Sequence, residues 1–147
     1  MLETILAISG KPGLYKLISR GNRNLIVETI DEKKHRMPAF ATDRVISLAD
    51  IAMYTQDKEV PLADVLTNIK NKENGALAGI DLKKASRDEL FAYLAEVLPN
   101  YDADRIYPTD VKKLIQWYNI LIKNGLDDFS KLAPTEGDNI DNRQEEE

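Results

Sequence analysis

The residues best suited to chemistry in this chain are basic and aromatic. Between positions 11 and 44 lie Lys11, Lys16, Arg20, Arg23, Lys33, Lys34, Arg36 and Arg44, set against Glu28, Asp31, Glu32 and Asp43. That is a local surplus of +4, with Tyr15 and Phe40 interleaved. Cations neutralise phosphates and aromatic rings stack on unpaired bases, so a face gathering Lys16, Arg20, Arg23, Lys33 and Arg36 would bind RNA or single-stranded DNA. The surplus is modest, and the four acids share the same segments. A second candidate is Trp117 beside Lys113 in a helical stretch, a partner surface wherever the indole is exposed.

Other constellations fail on their spacing. Gly10-Lys11 begins like a phosphate loop, but Pro12 follows where Ser or Thr belongs and Ile5 stands at the first Gly position. Asp102-Ala103-Asp104 opens like a calcium loop, yet Tyr107 takes the central glycine position and Lys113 that of the closing glutamate. His35 is the single histidine and lies in a charged loop, where solvation is the plain reading and a Ser-His-Asp arrangement would have to be built around it. The absence of cysteine excludes disulfides, thiolate nucleophiles and thiolate zinc sites. No catalytic residue, metal site or cofactor is expected.

The elements that must position these residues change character from one end of the protein to the other. A length of 147 residues suits one compact domain or two small ones. Such a protein buries roughly 68–70% of its unfolded surface. No apolar run approaches the ~20 residues that cross a bilayer. Glu3 stands where a secretory signal carries its basic region, so a soluble, cytoplasmic protein is expected. Charge is uneven: from Asp127 onward eight acids face Lys131 and Arg143, a net −6, which against the total of −5 leaves residues 1 to 126 at +1. Beyond Ala133 the only aliphatic residue is Ile140. An end this polar cannot offset its ordering entropy, and residues 127–147 are expected to form a disordered acidic tail.

Residues 1–57 read as a small β module. Met1 to Ser9 is a lead-in strand or turn of helix, and Gly10-Lys11-Pro12-Gly13 is turn chemistry. Strands follow at 14–20 and 25–31 around the Gly21-Asn22 turn. Pro38 restricts the run from Met37 to Ala41 to an edge strand or bulge, and short runs at 45–48 and 51–55 complete an antiparallel, SH3-like barrel. Residues 58–126 read as three helices. Leu62, Val65, Leu66 and Ile69 form one face after Pro61, and residues 74–81 form a loop. Ser86 and Glu89 have capping-box spacing ahead of Leu90, Phe91, Leu94, Val97 and Leu98. Thr109 is the expected N-cap of a last helix in which Val111, Leu114, Ile115, Tyr118, Leu121 and Ile122 share a face, with Gly125 at its end.

Three segments together carry a resemblance: Gly10 to Ser19 (GKPGLYKLIS), Ser47 to Thr55 (SLADIAMYT) and Tyr107 to Asn119 (YPTDVKKLIQWYN). On these the chain resembles a Bacteroidetes family, domain-of-unknown-function family 5606, with a helical C-terminal companion, over about residues 1 to 130. The resemblance implies a two-part cytoplasmic bacterial protein and transfers no binding or catalytic residue. The fold expected is therefore α+β. The leading functional expectation is a non-enzymatic adaptor that binds a protein partner through the edge of the β module or a groove between modules. Nucleic-acid binding by the basic face is the alternative, and an enzyme with an intermodule site the third.

Overall fold

The computed structural model describes residues 4–8, 10–11, 13–22, 24–40, 44–129 and Leu132. These fall into two compact units, one reaching Ile51 and the other spanning Ala52–Phe129. The expected boundary after residue 57 lies later than this. Its position follows from a strand pair: β6 (Ala52–Tyr54) pairs with β7 (Glu59–Pro61), and β7 runs directly into α1 (Leu62–Glu73). The hairpin thus belongs with the helices. Glu59-Val60-Pro61 was not expected as a strand, since three residues leave no readable period.

The first unit is a five-stranded antiparallel sheet in the order β4-β3-β2-β1-β5. Its strands are β1 (Ile5–Ile8), β2 (Tyr15–Arg20), β3 (Asn24–Thr29), β4 (Arg36–Phe40) and β5 (Val45–Ser47). Alternation places Leu6, Ile8, Tyr15, Val27 and Ala39 in one buried cluster, flanked by Leu17, Leu25, Met37 and Val45. A 3₁₀ turn at Leu48–Asp50 follows β5, and the buried Ser47 accepts from the Ala49 amide at 3.1 Å. No buried hydroxyl is wasted there.

The expected barrel does not close. Among the described residues β4 and β5 end the sheet and do not pair with each other, so two edges remain. The sheet nevertheless has to curl. Four interstrand spacings of ~4.8 Å would separate the outer strands of a flat sheet by about 19 Å. The link from Phe40 to Val45 reaches at most about 18 Å, before any offset along the strands is counted. Pro38 sits within edge strand β4, as its missing N–H requires.

The second unit is helical. α1 ends at Asn74 in the left-handed conformation, φ 55°, followed by Gly75 at φ 80°. α2 (Arg87–Val97) starts with a complete capping box: the Ser86 hydroxyl accepts from the Glu89 amide at 3.2 Å, and Glu89 accepts from the Ser86 amide at 2.9 Å. α3 (Pro108–Lys123) starts two residues earlier than Thr109 as N-cap would allow. Pro108 occupies the first helical position, where no N–H is needed, and Asp110 accepts from the Tyr107 amide at 2.9 Å. Val65, Leu66, Leu94, Val111, Ile115, Tyr118 and Leu121 are fully buried. Phe129 is also buried, its ring centroid 6.1 Å from that of Tyr118, so Asp127 and Asp128 precede a packed residue rather than opening a free tail. Apart from Leu132, the rest of the expected tail lies outside the described residues.

Leu66 of α1 is fully buried, at 0% exposure. Leu66→Ala is expected to destabilise the helical unit by about 2–5 kcal/mol, read as earlier amide hydrogen exchange across α1, α2 and α3.

Candidate functional site

The basic residues of the sheet do not converge on one face. Lys16 and Arg36 stand in a cross-strand row with Glu28 between them, through the register Lys16↔Glu28 and Glu28↔Arg36. Arg36 Nε lies 3.8 Å from Glu28 Oε1, so the row is a mixed-charge one. Arg20 departs from it. A bulge at Ile18 shifts the β2 register, so Ser19 faces Ile26 and Arg20 faces Leu25, a residue from the opposite side of β3 to Glu28. Lys33 lies in the β3–β4 loop, at the other end of β3 from Arg20, roughly 17 Å away at strand rise. There the Asp31 carboxylate accepts from Thr29 Oγ1 and from the Lys33 and Lys34 amides, each at 2.9 Å. These bonds, that of Lys34 foremost, lower the Asp31 pKa. The backbone amides of this loop thus hold a tight turn around Asp31. Arg23 lies outside the described residues.

The remaining candidates lie on other elements. Lys113 is exposed and Trp117 half-buried, one turn apart on α3. Lys11 donates its amide to the Ile8 carbonyl at 3.0 Å in the β1–β2 turn. Asp102 accepts from the Asp104 amide at 3.0 Å and pairs with Arg105 at 3.5 Å, and Arg105 stands 5.0 Å from the centroid of the Tyr54 ring. Among the described residues no group of three or more acids and histidines could hold a metal ion.

Among the described residues, a polar arrangement that spacing did not single out joins the three helices. Residues 74–86 connect α1 to α2, and three side chains fasten the first part of that connection. The Tyr118 hydroxyl donates to the Ala76 carbonyl at 2.6 Å, Asn119 Oδ1 accepts from the Ala78 amide at 2.8 Å, and Glu73 Oε2 accepts from the Gly79 amide at 2.9 Å. The same Glu73 oxygen accepts from the Tyr93 hydroxyl of α2 at 2.6 Å. Lys72 lies alongside, 3.0 Å from Glu96 and 5.2 Å from the centroid of the Tyr93 ring. One carboxylate and two tyrosines therefore tie all three helices to one loop. Tyr93 was legible as a core position, since it shares the helical spacing of Leu90 and Val97; its tie to Glu73 was not.

The electrostatics of this cluster fix its protonation. Burial raises the Tyr93 pKa, and the hydrogen bond and charge of Glu73 raise it further, far above the ordinary value. Burial and the Glu73 charge raise that of Tyr118 as well. Partial burial works against the Glu73 carboxylate, but bonds from Tyr93 and Gly79 and the Lys72 charge outweigh it, and its pKa is lowered. Near neutrality the tyrosines stay protonated donors and the glutamate an ionised acceptor. The arrangement is a clamp.

Tyr93→Phe removes a donor to a charged group and is expected to cost the helical unit about 1–2 kcal/mol at neutral pH, measured by denaturant unfolding. Because the folded pKa of Glu73 lies below its unfolded value, this advantage of the wild type is complete above the ordinary value of 4.5. It is lost as pH falls through the folded value. The two proteins are expected to converge in acid.

Comparison with known proteins places the two units separately. Residues 2–48 match the model of a domain of unknown function, DUF5606, and residues 51–121 that of a second, DUF6852. The solution NMR structure of a protein from Bacteroides vulgatus, a Northeast Structural Genomics Consortium target, is 67% identical to this chain. The similarity covers 88% of this chain and 91% of the other, with a TM-score of 0.73. No curated protein matches. The break between the two domain matches falls where the sheet gives way to the β6–β7 hairpin and its helices. The chain belongs to the family defined by DUF5606 followed by DUF6852, to which the sequence resemblance pointed.

Proposed function

We propose that this protein is a non-enzymatic interaction module that takes a protein partner at the β5 edge of its sheet. The observation that carries the reading is the asymmetry of the two edges. β4 holds Pro38, which removes a donor from its ladder, and an ion pair at Arg36, both devices that discourage strand addition. β5 has neither, and its central Ile46 is 44% exposed. An extended peptide adding to β5 would gain main-chain hydrogen bonds and a contact for its side chains.

The pKa values of Tyr93 and Tyr118 move up and those of Asp31, Glu73 and Glu89 move down, directions set by burial, by hydrogen bonds and by the Glu73 charge where loops and helix ends are held in place. Nucleic-acid binding has less support, since Glu28 divides Lys16 from Arg36 and the bulge takes Arg20 out of their row. Among the described residues no helix is long and apolar enough to cross a membrane, and the proposed setting is the cytoplasm.

Ile46→Lys places a charge on the proposed edge while leaving the buried face of β5 untouched. Wild-type protein immobilised in native lysate is expected to retain a partner that the variant loses. Equal recovery by both would sink the reading.

A further inference from the structure

We propose that Asn74 is a site of spontaneous covalent modification, converting to aspartate and isoaspartate through a succinimide formed with Gly75. In the first step the Gly75 backbone nitrogen attacks Asn74 Cγ. A ring C–N bond forms, the bond from Cγ to Nδ2 breaks, and ammonia leaves with the proton that Gly75 gives up. Water then opens the ring at either carbonyl. One opening restores the normal backbone as aspartate, and the other routes the backbone through the former side chain as isoaspartate. Water is the only co-reactant.

The sequence holds two Asn-Gly pairs, at 74–75 and 124–125. Both close a helix, both are exposed, and both glycines have positive φ, 80° and 78°. Glycine lacks the Cβ that would shield its nitrogen, so both pairs have the intrinsic capacity. Both glycine amides are also tied back, Gly75 to the Lys70 carbonyl at 2.9 Å and Gly125 to that of Ile122 at 3.2 Å. Ring closure in either place therefore waits for the last helical turn to fray. The difference lies in the side chains. Asn124 Nδ2 donates to the Ile120 carbonyl at 2.8 Å, which holds its carboxamide along α3. The Asn74 carboxamide has no hydrogen-bond partner among the described residues and is free to meet Gly75.

The position of Asn74 gives the reaction a consequence. It immediately precedes the stretch that Tyr118, Asn119 and Glu73 fasten at Ala76, Ala78 and Gly79. Isoaspartate adds a backbone carbon just ahead of those anchor points. It also sets a second carboxylate beside Glu73, so the loop is released from its clamp.

The full-length protein held at mildly alkaline pH, with peptide mapping by mass spectrometry and chromatographic separation of the two acid products, tests this. In the folded protein Asn74 is expected to convert several times faster than Asn124, and in denaturant the two rates are expected to approach each other. Asn124 keeping pace in the folded state would overturn the proposal, as would a rate ratio that unfolding leaves unchanged. Amide exchange on the aged protein reads the consequence. Faster exchange at Ala78 and Gly79 in the modified fraction is expected, with none in an Asn74→Gln control, and unchanged protection would refute release of the loop.

Discussion

A hydroxyl buried in an apolar core must find an acceptor, and at Tyr118 much of the helical unit is arranged around that demand. The ring is fully buried in the apolar face of α3, between Leu114 and Leu121 in the helical repeat, with Phe129 against it. Its oxygen reaches the carbonyl of Ala76, in the connection that leaves α1. The register of α3 against that connection is thereby set to hydrogen-bond precision, because an unmade bond from a buried donor costs more than a made one gains. Glu73 and Tyr93 extend the same logic to α2. The loop that would otherwise be the loosest part of the unit is held by three side chains from two helices.

The sheet unit depends on a different constraint. Its core residues come from alternate positions on all five strands, so the register of each pair decides what is buried. The bulge at Ile18 is tolerated because it lies beyond the central pairs Tyr15↔Thr29 and Leu17↔Val27, near the end of the hairpin. It preserves the core side of β2 and changes only what the far end presents.

Local signals in the sequence carried much of this. The Ser86 and Glu89 spacing marks the start of α2, the apolar stripe of α3 is written at helical period, and Pro38 identifies an edge strand; each is a short-range rule that tertiary context leaves intact. What could not be read were properties of pairing. Closure of the sheet depends on whether β4 and β5 meet, which no strand records in its own residues. Period-two reading puts Lys16 and Arg20 on one side, and a single inserted residue separates them. Glu73 and Tyr93 are twenty positions apart and become partners only when α1 and α2 pack. The break at Ile51 was hidden for the same reason, since β6 looks like one more strand of the sheet until its partner is found across the turn at 55–58.

The number of residues between β4 and β5 limits the shape of the sheet. Twist alone gives a five-stranded sheet some curvature, but here the length of one connection sets an upper bound on how far the outer strands can part. Curvature in this unit is therefore a quantity measured in loop residues. A longer link would free the same strands to open into a flatter sheet, and a shorter one would bring the two edges nearer to closure. The shape of the sheet, and with it the width of the gap between its edges, can drift in evolution without a change to any core residue.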